Sequence, residues 1–466
     1  MEKIEDENMN KNGNACAGVG ISFCVYLITL GCDKNRVDGE VMLGRLVGAG
    51  RFTPVNDPAI ADVIIVNTCG FIREATQESI DMILAMASFR SESMWPCKAL
   101  VITGCMSERY REDAKTAIPE ADAVLGVKDT DTIAQVVLGL VGDENPEAVT
   151  GAGDLGVARA LARSHVHAGH VAHVKISDGC DNACTYCTIP SIRGAYVSRP
   201  MEDIVAECGL LINSGARELV LVAQDTALYG VDLYGGPRLH ELMRAMAGLP
   251  GRPWVRLMYA YPEHITPEII RAIAEVTNIC KYIDMPIQHS ETGVLKRMGR
   301  QSTREGLLAL INDLREKVPG IALRTTLMVG FPGETVENFR NLYNFVKEVR
   351  FDRLGVFPYS REEGTPAATM PQQVKEEVKH TRLDRLMRLQ RKIHQEKQQA
   401  KIGTAIDVII DESQDGICEG RTQHDAYEVD AVIRFTSHER LNPGDIVQVT
   451  VTGADEYDLQ GVQARL

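Results

Sequence analysis

The chain has 466 residues, enough for roughly three domains. Its 44% hydrophobic and 24% charged content is that of ordinary globular protein, while a net charge of −14 and 5% aromatic residues argue against a general nucleic-acid binder. No run of 18 apolar residues occurs, so no membrane span is expected.

Residues 1–21 are polar, acidic at the start and glycine-rich, and they read as a disordered extension. They lack the basic start and apolar core of an export signal, so a cytoplasmic location is expected. Twelve cysteines in such a chain point to metal binding or redox chemistry rather than disulfides. From 22 to 140, short apolar runs alternate with helical stretches, the pattern of βαβ units and a parallel sheet. Three of these runs end in cysteine: "LITLGC" at Cys32, "IIVNTC" at Cys69 and "LVITGC" at Cys105. The intervals are 37 and 36 residues, about one βα repeat each. In a parallel sheet successive strand ends share one edge, where α/β sheets place ligands. The three cysteines are therefore expected to converge. Cys16, Cys24, Cys97, Cys208, Cys280 and Cys418 show no such placement.

Residues 141–172 read as a linker, with His165, His167 and His170 in it and His173 just beyond. A second alternation follows, forming a domain over 173–395. Six strand candidates begin at "HVKISDGC", "ELVLVAQD", "WVRLMYAYP", "KYIDMPIQH", "LRTTLMVGFPGE" and "RLGVFPYS". Six βα units are too few for a closed eight-fold barrel and suit an open, partial (β/α)6 one. Its chemistry belongs at the carboxyl ends of the strands, where Cys180, Gln224, Asp225, Tyr261, His289 and Glu334 gather. "VGFPGE" lacks the Gly-Lys-Ser/Thr ending of a phosphate loop. A long charged helix spans 375–402, with nine Lys/Arg against four Asp/Glu. The last domain, 396–466, ends in short alternating runs that predict a small antiparallel β-barrel.

The run "DGCDNACTYCTIP" follows the first strand of the partial barrel and spaces Cys180, Cys184 and Cys187 as CxxxCxxC. Three thiolates on one loop can hold three corners of an iron–sulfur cube and leave the fourth iron open. The alternative, a structural zinc loop, needs a fourth ligand, and His173 is the only nearby candidate.

The loop, with Tyr186 just before its third cysteine, resembles that of the radical S-adenosylmethionine superfamily. The resemblance implies a [4Fe–4S] cluster whose open iron chelates S-adenosylmethionine, and reductive cleavage of that cofactor to a 5′-deoxyadenosyl radical. It also implies cofactor contacts at Tyr186, Gln224, Asp225, Arg324 and Glu334. Over residues 22–466 the order of domains resembles the methylthiotransferase family, with "TLGCDKNRVDGE", "VNTCGFIREA", "GCDNACTYCTIPSIRG", "YIDMPIQHS" and "MVGFPGET" as its motifs. This implies a second [4Fe–4S] cluster on Cys32, Cys69 and Cys105 that carries sulfur, two S-adenosylmethionine molecules per turnover, outside electron and sulfur donors, and a TRAM-type last domain. A monomer is expected.

Two branches of the family differ in substrate: adenosine in transfer RNA, or an aspartate β-carbon in small-subunit ribosomal protein number twelve. Residues 400–466 hold five Lys/Arg against thirteen Asp/Glu, a net of −8. An acidic surface repels RNA phosphates and attracts a basic ribosomal protein. "AQDTALYG" and "SIRGAYVSRP" also resemble the ribosomal-protein branch. The aspartate reading is therefore preferred, with docking on the acidic barrel. The transfer-RNA reading and a non-catalytic iron–sulfur or metal module binding the ribosome remain as alternatives.

Overall fold

The computed structural model describes residues 22–142, 163, 166–167 and 169–464. The expected extension over 1–21, most of the expected linker, and His165 lie outside the described residues.

The first domain is a parallel sheet of β1 (Phe23–Thr29), β2 (Phe52–Pro54), β3 (Val63–Thr68), β4 (Ala99–Gly104) and β5 (Ala123–Val124), in the order β2-β1-β3-β4-β5. Every residue of β3 and β4 is buried, as strands covered by helices on both faces must be. Alternate side chains serve opposite cores. Val63, Ile65 and Val101 meet Met42 and Leu46 on one face, while Ile64, Val66 and Ile102 meet Ile83 on the other. The short edge strand β2 is an addition to the elements expected from sequence. Three residues give too little alternation to stand out.

The six expected barrel strands are all present: β6 (Val171–Lys175), β7 (Glu218–Val222), β8 (Trp254–Leu257), β9 (Ile279–Asp284), β10 (Ala322–Val329) and β11 (Arg353–Pro358). They pair in parallel, in the order β11-β10-β9-β8-β7-β6, and the sheet stays open between β6 and β11. β6 starts at Val171, inside the expected linker. Arg163, also from that stretch, is fully buried and paired with Glu40 and Glu207, so it ties the first domain to the second.

The charged helix runs Glu376–Gln399 and turns part of its charge inward. Lys379 donates to the Tyr359 carbonyl, and Arg382 reaches Glu334 at 3.2 Å. The last domain is a closed barrel of β12 (Ala405–Gln414), β13 (Ile417–Arg421), β14 (Ile433–Thr436), β15 (Ile446–Ala454) and β16 (Leu459–Gln463). Four pairs are antiparallel and the β14–β16 pair is parallel. An odd number of strands cannot alternate direction all round a ring, so one parallel pair is required. This barrel packs against the six-stranded second domain. Ile409 and Ala426 join Val220, Val222, Trp254 and Tyr282 in one apolar cluster.

Candidate active site

The three cysteines of the first domain stand at one edge of its sheet. Thr29, Asn67 and Thr103 lie in one register row across β1, β3 and β4. Cys69 and Cys105 each follow that row by two residues and Cys32 by three. Gly31 turns the chain after β1 with φ +90°, and its Cα packs on Cys69: a Cβ there would stand 2.8 Å from the Cys69 sulfur. Side chains that the sequence did not single out hold these turns. Asn35 Nδ2 donates to the Leu30 carbonyl at 2.8 Å, and Asn67 Nδ2 to the Asn35 carbonyl at 2.9 Å. Ser79 Oγ accepts from the Cys69 N–H at 3.0 Å and donates to the Cys69 carbonyl at 2.9 Å.

Gly31→Ala is expected to crowd Cys69 as well as strain the turn, since an L-residue at left-handed φ costs about 1–2 kcal/mol. The outcome to measure is a loss of iron from the first-domain site, with only a modest fall in melting temperature.

The CxxxCxxC loop lies at the carboxyl end of β6. Gly299, with φ +77°, runs beneath it so closely that a Cβ would meet the Ala183 carbonyl oxygen at 2.2 Å. The Tyr261 hydroxyl is 3.2 Å from Cys184 Sγ, and the Ile189 N–H donates to Cys187 Sγ at 3.4 Å. Burial pushes the Cys187 thiol up to about 12. It likewise pushes Cys105 up to about 11, against the pull of the Arg193 guanidinium.

Arg193 links the two cysteine sets. It ends the short helix Ile189–Arg193 that follows the loop. Its guanidinium lies 3.4 Å from Cys105 Sγ, 2.9 Å from Asp38 and 3.0 Å from Asp178. Asp178 also accepts from Gln224 Nε2 at 3.1 Å. Arg193 was legible only as part of "SIRG". Nearby, Arg109 pairs with Glu362 at 2.9 Å with both side chains buried, and Thr188 Oγ1 donates to the Phe71 carbonyl at 3.3 Å. These contacts hold the cysteine-bearing edge of the first domain against the mouth of the second.

Of the other expected site residues, Tyr186 is buried, edge-on to Phe331 with ring centroids 6.4 Å apart. Asp225 is fully buried and accepts from Asn182 Nδ2 at 3.0 Å, with His264 Nδ1 at 2.6 Å. Glu334 is buried beside His289, whose Nε2 is 3.9 Å from Glu334 Oε1. His289 Nδ1 accepts from the Glu291 N–H, which leaves the ring proton on Nε2. Among the described residues the buried atoms His289 Nε2, Ser290 Oγ, Glu334 Oε1 and Gln224 Oε1 have no hydrogen-bond partner, which leaves them free to bond a ligand or water. Arg324 is not brought to the strand ends. It lies early in β10, paired with Asp284 at 2.7 Å and facing Asp430 of the small barrel at 3.6 Å. Two carboxylates on either side make it an interdomain ion pair. His173, the candidate zinc ligand, faces Asp33 at 3.5 Å.

Both cysteine sets suit a cube with one open iron: each offers three thiols, and burial with mutual thiolate repulsion raises Cys105 and Cys187 until a metal takes the proton's place. Among the described residues no three His, Cys, Asp or Glu side chains are gathered around one metal ion. A cube does not require it, since each thiolate binds a different iron, whereas one zinc would draw its sulfurs to about 3.8 Å of each other.

Comparison with known proteins places three matches along the chain: an uncharacterized protein family (UPF0004) over residues 24–126, the radical SAM superfamily over 174–346, and the TRAM domain over 402–463. The chain is 45% identical over 450 residues to the ribosomal protein uS12 methylthiotransferase RimO of Desulforamulus reducens, covering 95% of this chain and 99% of that protein. It is 46% identical to the protein of the same name from Clostridioides difficile, covering 94% and 98%, and 45% identical to that from Geobacter sulfurreducens, again covering 94% and 98%. In fold it is similar to the radical S-adenosylmethionine methyltransferase TsrM of Kitasatospora setae, with a TM-score of 0.54, 14% identity and 74% of each chain covered.

Proposed function

This chain belongs to the ribosomal protein uS12 methylthiotransferase family, and from that premise we propose how its residues divide the reaction. It catalyses methylthiolation of an aspartate β-carbon in small-subunit ribosomal protein number twelve, using two S-adenosylmethionine molecules and two [4Fe–4S] clusters. When bound, these groups supply the electron that cleaves one cofactor, the methyl group from the other, and the sulfur.

Cys180, Cys184 and Cys187 hold the cluster that cleaves S-adenosylmethionine. Cys32, Cys69 and Cys105 hold the one that carries sulfur. The observation that carries this division is the seam itself: Arg193 touches Cys105 on one side and, through Asp178, orients Gln224 on the other. Gln224 Oε1, His289 Nε2, Ser290 Oγ and Glu334 Oε1 are unpaired polar atoms that would meet the cofactor, and Tyr186, packed on Phe331, would line the same end of the barrel. Asp225 is taken up by Asn182 and His264, so it positions those two side chains.

The substrate protein docks on the small barrel. Part of that barrel's acidity is spent inside the seam, where Asp411, Asp425 and Asp430 face arginines. Six acids remain exposed and make no ion pair with a described residue: Asp407, Glu412, Asp415, Glu439, Asp445 and Asp455. These suit a basic partner and disfavour RNA. The enzyme works as a monomer in the cytoplasm, where its ribosomal substrate is made, with electron and sulfur donors from outside.

The test is mass spectrometry of the ribosomal protein and of bulk transfer RNA from a strain lacking this gene. The expected result is loss of the methylthio mass on the aspartate with transfer RNA unchanged. Loss confined to transfer RNA would overturn the substrate. Intact S-adenosylmethionine after incubation of the cluster-loaded, reduced protein would favour a non-catalytic ribosome-binding role.

A further inference from the structure

Lys34 is a buried ammonium that the nearby Cys32, Asp33 and Asp284 favour only through space, with no carboxylate bonded to it among the described residues. It lies on the first turn of the helix Asp33–Gly48, two residues after Cys32, and only 8% of it is exposed. Among the described residues it makes no ion pair. Its ammonium lies 3.1 Å from the centroid of the Tyr259 ring, which belongs to the loop at the carboxyl end of β8. Two carboxylates are near, and both are engaged. Asp33 accepts from the Tyr259 hydroxyl at 2.9 Å. Asp284 accepts from Arg324 at 2.7 Å with one oxygen and from the Tyr259 N–H at 3.1 Å with the other.

Tyr259 has φ +56°, a left-handed conformation that costs a bulky residue of order 1–3 kcal/mol. The two aspartates hold it there, and what this conformation accomplishes is a ring face laid against Lys34. A ring attracts a cation without using its hydrogen-bond donors. The ammonium is thus held in place with N–H groups to spare. Buried charges in proteins are paired. Here a directly bonded carboxylate is what is missing, at a point two residues from Cys32 and against the loop whose Tyr261 hydroxyl meets Cys184.

We propose that Lys34 anchors the side-chain carboxylate of the target aspartate. The inference rests on the aspartate reading above and deepens it. The carbon to be modified is bonded directly to that carboxylate, so fixing the carboxylate would hold the reacting C–H bond beside Cys32 and the loop that carries Tyr259 and Tyr261. Lys34 is then a specificity-determining residue: an adenine offers it no anion, and an asparagine offers a neutral amide.

The test uses the full chain, loaded with both clusters and S-adenosylmethionine, under anaerobic conditions. Its probes are two fluorescent peptides spanning the target loop, one with aspartate and one with asparagine at the target. Dissociation constants are read by anisotropy. Wild type is expected to prefer the aspartate peptide by about tenfold or more, the scale of a charge-assisted hydrogen bond. K34M and K34Q should bind the two peptides alike, and K34R should recover part of the preference. The ratio is taken within one protein, so a general loss of stability does not imitate the effect. Unchanged discrimination in K34M or K34Q would overturn the role of Lys34 while leaving the substrate reading in place. A wild-type enzyme that neither binds nor modifies the aspartate peptide would overturn both.

Discussion

Replacing Cys69 with alanine is expected to halve the iron bound after anaerobic reconstitution, from about eight to about four atoms per chain. The variant should still cleave S-adenosylmethionine and should transfer no methylthio group. The reasoning is geometric. Cys69 stands beside Gly31 and level with Cys105, in the loop that follows β3, and among the described residues the contacts to Cys184 and Cys187 come from Tyr261 and Ile189, not from its side chain. Its backbone is held by Ser79 rather than by its own sulfur, so the loop keeps its path when the sulfur is removed. Iron analysis, spectroscopy of the reduced protein and chromatography of 5′-deoxyadenosine separate the outcomes. An unchanged iron content would remove Cys69 from the ligand set. Loss of cleavage in a folded variant would show that the two cysteine sets do not work separately.

Replacing Glu218 with glutamine is expected to cost about 3–5 kcal/mol, the scale for breaking a buried ion pair from one side. Glu218 opens β7, is fully buried, and lies 2.5 Å from Arg256 and 2.7 Å from Arg421. Arg421 belongs to the small barrel and also pairs with Asp411, while Arg256 donates to the Gln423 carbonyl at 2.8 Å. The carboxylate therefore joins the two domains, and without it two buried guanidiniums face each other undercompensated. Burial alone would raise the Glu218 carboxyl, but the two arginines outweigh it and bring it from 4.5 to about 2. A depressed folded-state value means the carboxylate stabilises fully above about pH 4.5 and loses that effect as the pH falls towards 2. Wild type and E218Q should accordingly differ in denaturant midpoint at neutral pH and converge in acid. Equal midpoints at pH 7 would show that Glu218 does not hold the domains together.

Much of the fold could be read from residue order. β3 and β4 are apolar on both faces, and only a sheet covered on both sides accepts such runs. All six barrel strands were visible because β-branched runs alternate with amphipathic helices. The edge strand β2 escaped because three residues carry no period. Arg163 escaped because a buried arginine in a stretch rich in alanine and glycine has no sequence signature; its partners Glu40 and Glu207 come from two other domains.

The candidate site divides in the same way. The cysteines were legible because strand ends in a parallel sheet recur at one edge, and because CxxxCxxC on a single loop is a local pattern. These depend on spacing along the chain, which sequence determines by itself. Arg193, Lys34, Tyr259 and Glu218 owe their chemistry to neighbours that are distant in sequence. Arg193 approaches Cys105, 88 residues away. Tyr259 receives Lys34 across a domain boundary. The placement of Arg324 was likewise a tertiary matter: Asp284 and Asp430 claim it, away from the carboxyl ends of the strands. The spacing of the cysteines is set by backbone repeat, and so by sequence. Which charge meets which across a seam is set by how three domains pack, and only the tertiary structure decided that.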